Sequence, residues 1–255
     1  MNSLLILFIF LLLLIIAVSG KAGLKSIIGL ISNFIVIIIL LLLLALGLNA
    51  YLALLIFVPL ILALTIFTSS DHREVTYLAF KSSLIIVGAL FLLAVLVQYL
   101  GNLQGFTAEN ISELEGLSTS IGVNFANIMI VVMIVSLLGA VAEASMAFLS
   151  SLSEVMEQDR KMTLEHFQAQ RQIISQQILG TAVNTLFFGM LGTSVALVLW
   201  LIKYHESLAQ ILNSKLLVAD IATMLLGMIG ILLIIWLSGH YLEKKFKNKN
   251  LKNRN

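Results

Sequence analysis

Residues 123–150 read VNFANIMIVVMIVSLLGAVAEASMAFLS. A helix rises 1.5 Å per residue and needs about 20 apolar residues to cross the hydrocarbon core of a bilayer, so this stretch is long enough to span. It contains one acid, Glu143. Holding a carboxyl group at that depth costs a few kcal/mol or more, so such a residue is expected to face the interior of a helix bundle and to mark a functional site.

The rest of the chain repeats the pattern. Sixty per cent of the 255 residues are hydrophobic and only 11 % are charged, against about 25 % charged in a soluble domain. The charges form islands between apolar runs at roughly 4–18, 27–46, 50–67, 77–99, 123–150, 176–202 and 216–238. This predicts an all-α polytopic membrane bundle of about seven transmembrane helices, because a spanning backbone must satisfy its own hydrogen bonds. The first run is short. Ala17-Val18-Ser19 resembles a cleavage triplet, but no Lys or Arg precedes it, so an uncleaved first span is expected. The absence of cysteine excludes disulfides and thiolate chemistry. The basic residues are few and mostly terminal, which argues against a nucleic-acid partner.

Orientation follows from the basic residues. Thirteen of the 15 Lys and Arg fall on alternate sides that include Lys21, Arg73, Arg160, Arg171 and the C-terminal tail. The other side holds Lys203 and Lys215 alone. The N-terminus is therefore expected outside and the C-terminus in the cytoplasm. Residues 1–239 read as a single transmembrane domain and 240–255 as a basic cytoplasmic tail held at anionic lipids. The outer loop 101–122 offers Thr107 as a helix cap and Asn110-Ile111-Ser112 as a glycosylation sequon. The inner loop 151–175, charged with interspersed Met, Leu and Phe, reads as a helical extension or an interfacial helix. Spans one and three, nearly all Leu, Ile, Ala and Phe, are expected to face lipid.

Counting from the cytoplasmic ends places Glu143, Asn184 and Asn33 in one layer, Glu143 lying roughly 10 Å above the inner end of its span. Ser136, Gly139, Glu143, Ala147, Ser150 and Glu154 step by three or four and share one helix side. Gln177, Thr181, Asn184 and Phe188 do the same in the sixth run, and Asp220, Thr223, Gly227 and Gly230 in the seventh. Small residues let helices approach and Ser, Thr and Asn bond across the gap. The fifth, sixth and seventh spans are thus expected to pack together, with the second span closing a site made of Glu143, Asn184, Thr181, Asn33, Ser150 and Gln177. Packing glue explains the hydroxyls and amides equally well, whereas an ionisable group is harder to explain that way. Asp220 stands near the outer helix start, where the helix dipole favours an acid. No HExxH, GxSxG or Walker A motif occurs, and the four histidines lie in loops or near span ends. An enzyme, a bound metal and a cofactor are therefore not expected.

Gly139-Ala140-Val141 with an acid at 143, then Ser150 and Glu154, followed by Gly180-Thr181, Asn184-Thr185 and Gly192, resembles the YibE/F family of bacterial multi-span proteins. Lys21 to Lys25 with Asn33-Phe34 is similar to the family's opening. Glu143 stands where the family usually has Asp, and Gln176-Gln177 where it has an Arg-Asp pair. The resemblance implies a possible transport role and a second YibE/F-family membrane protein as partner, this chain being similar to the shorter member. Two readings result: a permease-like subunit of a transport complex, with proton or cation exchange at Glu143, or a non-transporting scaffold whose polar layer only specifies packing. The substrate is not encoded in any motif.

Overall fold

The computed structural model describes residues 2–70, 72–103, 125–159, 162–205 and 207–252. They form helices α1 (Asn2–Ala45), α2 (Ala50–Ser69), α3 (Arg73–Gly101), α4 (Phe125–Gln158), α5 (Leu164–Lys203), α6 (Leu208–Leu212) and α7 (Lys215–Lys252), and no strand occurs among the described residues. The expected Thr107 cap and the Asn110 sequon lie outside the described residues.

Six helices are long and apolar enough to cross a membrane: Gly23–Ala45 of α1, all of α2, α3 and α5, and the greater parts of α4 and α7. The first apolar run, Leu5–Gly20, is too short to join them. It is a short helix of its own, divided from the spanning part of α1 by a kink. Gly20 takes φ 55, ψ −131, a left-handed backbone that glycine enters without steric cost. The chain folds back there so tightly that a methyl group on Gly23 would lie 2.6 Å from the carbonyl oxygen of Ile15. The expected inner loop 151–175 is a helical extension on both sides: α4 runs on to Gln158 and α5 starts at Leu164, capped by Thr163 Oγ1 accepting from the His166 amide.

α4 is the centre of the bundle. It packs against α2, α3, α5 and α7, and 61 % of its most apolar window is buried, against 11 % for α5. Side-chain contacts fix the helix directions. Asn33 with Thr65 sets α1 antiparallel to α2, and Tyr51 with Asn127 sets α2 parallel to α4. Glu74 with Lys245 and Ser82 with Ser238 set α3 antiparallel to α7. Arg171 with Glu243 and the stacked rings of Phe167 and Phe246 set α5 antiparallel to α7.

Two expectations fail at this scale. The third apolar run, now α2, is not simply lipid-facing: Ala53, Leu62 and Ile66 are fully buried against its neighbours. Lipid tails and helix neighbours both accept Leu and Ile, so composition does not separate the two surfaces. The second run does not close a site on α4 and α5, because α1 packs on α2 at the edge of the bundle.

Candidate functional site

The stripe Ser136, Gly139, Glu143, Ala147, Ser150 and Glu154 is real, and it faces out. All six residues are exposed, whereas most of their neighbours on α4 are buried. The expectation that Glu143 points into the bundle is therefore corrected. The packing shows where it points. Around α4 the helices run α2, α3, α7, α5, each touching the next, and α2 and α5 do not close the ring. Among the described residues, the exposed side of α4 lies in that gap. Glu143 sits on its floor with no hydrogen bond or ion pair among the described residues.

α5 borders the same gap and carries the second stripe. Gln177, Gly180, Thr181, Asn184, Thr185 and Phe188 are all exposed. Their hydroxyls turn back on their own helix: Thr181 Oγ1 donates to the carbonyls of Gln177 at 3.0 Å and Ile178 at 3.1 Å, and Thr185 Oγ1 to that of Thr181 at 2.9 Å. Asn184 makes no bond to Glu143.

Heights on these two helices can be compared through α7. Gly230 of α7 lies against Val141, and Gly227, one turn earlier, against Leu186. Stepping from those contacts at 1.5 Å per residue, Thr181 comes out level with Glu143 and Asn184 about one turn away. Asn33 is elsewhere, donating to Thr65 Oγ1 at 3.0 Å between α1 and α2. Asp220 accepts from Ser194 Oγ at 2.8 Å, an α5–α7 tie near the α6 end of the bundle. Ser194 is 2 % exposed, so this bond replaces water for a buried hydroxyl.

The exposed stripe differs from a lipid-facing one within the same molecule. On α1 the exposed residues include Phe34, Ile35, Ile38, Leu41 and Leu42, the bulky apolar side chains that suit acyl chains. On α4, beyond Val132, the exposed stripe through the span is Ser136, Gly139, Glu143, Ala147 and Ser150. The glycines sort the same way. A side chain added at Gly29 or Gly230 would collide with Thr68 or Leu90, and at Gly227 it would press on Leu186 at 3.1 Å, so those glycines already admit a neighbour. At Gly139, Gly180, Gly189 and Gly192 an added Cβ would meet nothing within 4 Å. These have the form of close-approach positions with no helix approaching them.

A buried polar node was missed in the sequence. Ser82 of α3, Ser145 of α4 and Ser238 of α7 are each 0 % exposed. Ser238 Oγ donates to Ser82 Oγ at 3.2 Å, Ser82 and Ser145 hydroxyls lie 3.4 Å apart, and Ser145 Oγ reaches the Ala79 carbonyl at 3.4 Å. Ser145 stands two residues from Glu143, hence about 200° round the helix, on the packed side. A lone Ser in an Ala-rich run gives no warning of this; its partners, Ser82 and the Ala79 carbonyl, are 63 and 66 residues away.

A family model described as YibE/F-like protein matches residues 6–248, nearly the whole chain. No curated protein and no solved structure matches it.

Proposed function

The chain belongs to the YibE/F-like family and is an integral, multi-pass membrane protein, and from that premise we propose that it is a permease-like subunit of a transport complex whose path runs past Glu143. The carboxyl group of Glu143, exposed on an otherwise small-residue stripe of a membrane helix, carries this reading. Lipid is a poor neighbour for it, and a second membrane subunit supplying a donor or a cation is a good one. In this reading the partner is another YibE/F-family chain, it seats in the gap between α2 and α5, and the seam holds Glu143, Thr181, Asn184, Ser150 and Gln177. Asn33 and Asp220 stabilise helix pairs away from the seam. The C-terminal tail lies in the cytoplasm of a bacterial cell membrane, and six crossings put the Gly23 end of α1 on the same side, with Leu5–Gly20 a short arm folded back from it; an outside N-terminus would need that arm to cross as well. The role is not enzymatic: the seam offers one acid with hydroxyls and amides, and no nucleophile–base pair.

The scaffold alternative has its own support, since the α5 hydroxyls are spent on their own backbone. One experiment separates the two. The complex purified through a tag on this chain is placed in liposomes, and an imposed pH or cation gradient is followed with an internal dye. The transport reading expects the wild-type complex to discharge the gradient and Glu143→Gln to retain its partner without discharging it. A complex that retains its partner and is equally tight to ions with Glu or Gln at this position would contradict transport and leave the scaffold.

A further inference from the structure

At the end of the bundle that carries the basic tail, α5 and α7 enclose a groove of about 390 Å³ that lies apart from the Glu143 gap. Gln168, Arg171, Gln172, Ser175 and Gln176 of α5 form its polar wall. Leu179 of α5 with Leu232 and Ile235 of α7 form its apolar wall. The two kinds of residue are sorted along the helix axes. On α5 the polar residues come before Leu179, nearer the end of the bundle. On α7, Leu232 and Ile235 come before His240 and Glu243, so they are again on the bilayer side. Both helices are longer than the roughly 30 Å of a hydrocarbon core, and the groove lies where the apolar residues of each give way to polar ones.

The groove is positively poised and held in shape. Arg171 Nη1 bonds Glu243 at 2.9 Å, its Nη2 lies 3.5 Å from His240 Nδ1, and its side chain is 21 % exposed. Gly239 makes room for the guanidinium: an added Cβ would lie 2.8 Å from Arg171 Cζ. Glu243 also pairs with Lys247 at 2.9 Å, so the two cations outnumber the one acid, and exposed Lys244 adds to the excess. Trp236 is exposed beside the groove and packs on His240 with ring centroids 4.6 Å apart. An indole at this position suits the headgroup layer.

We propose that this groove binds the phosphodiester headgroup of an anionic membrane phospholipid, the headgroup on Arg171 and the Gln172, Ser175 and Gln176 side chains and the first acyl carbons on Leu179, Leu232 and Ile235. The guanidinium has more donors than Glu243 uses, and the amides are neutral donors that add no competing charge. A soluble phosphate would use the polar wall and have no use for the apolar one. A lipid uses both, in the order in which the helices present them.

The test titrates the full-length chain in detergent with phosphatidylglycerol, phosphatidylcholine or inorganic phosphate and counts adducts by native mass spectrometry. The expected result is at least about tenfold preference for phosphatidylglycerol, or about 1.4 kcal/mol, with no displacement by millimolar phosphate. The double variant Gln172→Leu with Gln176→Leu leaves the Arg171–Glu243 pair in place and is expected to lose that preference without a change in melting temperature. Arg171→Gln should lose it too, but that variant also leaves Glu243 without its guanidinium. Equal binding of the two lipids, or a double variant that keeps the preference, overturns the proposal. Displacement by inorganic phosphate overturns it in favour of a soluble anion.

Discussion

Glu143 and Ser145 are two residues apart and lead opposite lives. Ser145 is sealed among α3, α4 and α7, where its hydroxyl has partners on α3; Glu143 has none among the described residues. Replacing Ser145 by Ala should therefore cost about 0.6 kcal/mol, the usual size of a membrane interhelical hydrogen bond. Ser145→Leu should cost about 1–3 kcal/mol through overpacking. Glu143→Leu should behave in the opposite way. It removes a group that lipid tolerates poorly, so the isolated chain should become more stable by up to a few kcal/mol while losing its partner. Melting of the detergent-purified chain checks all three. A Glu143→Leu chain that melts far below wild type would show that the carboxyl group is bonded within the subunit after all. The sequence displayed Glu143 clearly, because an acid in a long apolar run stands out. It did not display the serine node, whose members look like ordinary small residues.

At the scale of the helix, α4 and α5 explain why the faces were legible and their direction was not. Spacing by three and four showed that Gly139, Glu143 and Ala147 share a side, and the structure keeps them on one stripe. The expectation that the side faces inward rested on the rule that polar and small residues are covered by helices. That rule holds without saying which chain supplies the covering helix. Asn33 shows the other limit: its place in a common layer came from counting along one span, and counting gives height without lateral position. The glycines turn the distinction into a measurement. Gly230→Leu should destabilise the isolated chain by about 1–3 kcal/mol, since a Cβ there already lies 2.7 Å from Leu90 and 2.9 Å from Val141. Gly139→Ala meets open space and should be neutral or stabilising by up to about 1 kcal/mol, the helix-propensity difference between the two residues. Comparable losses at the two positions would mean that the α4 stripe is already packed within the subunit. The fold at Gly20 belongs to this scale too. A glycine inside an apolar run can be a packing site or a hinge, and only the φ of 55 settles which.

For the whole molecule, the six helices long and apolar enough to cross a membrane make a bundle with two unlike surfaces. One is broad, bulky and apolar along α1. The other, between α2 and α5, is small, polar and acidic at its floor. A protein complete in itself would have no reason to keep the second. The account therefore rests on a neighbouring protein, rather than acyl chains, occupying that gap. The chain contains no cysteine, so a single Ala147→Cys or Leu41→Cys introduced in native membranes can be labelled with a small photoreactive diazirine and irradiated. Ala147 lies on the α4 stripe and Leu41 on the exposed face of α1. The label at 147 is predicted to give a discrete protein–protein adduct, identifiable by mass spectrometry, and the label at 41 mainly lipid adducts. Lipid adducts alone from position 147 would contradict the account.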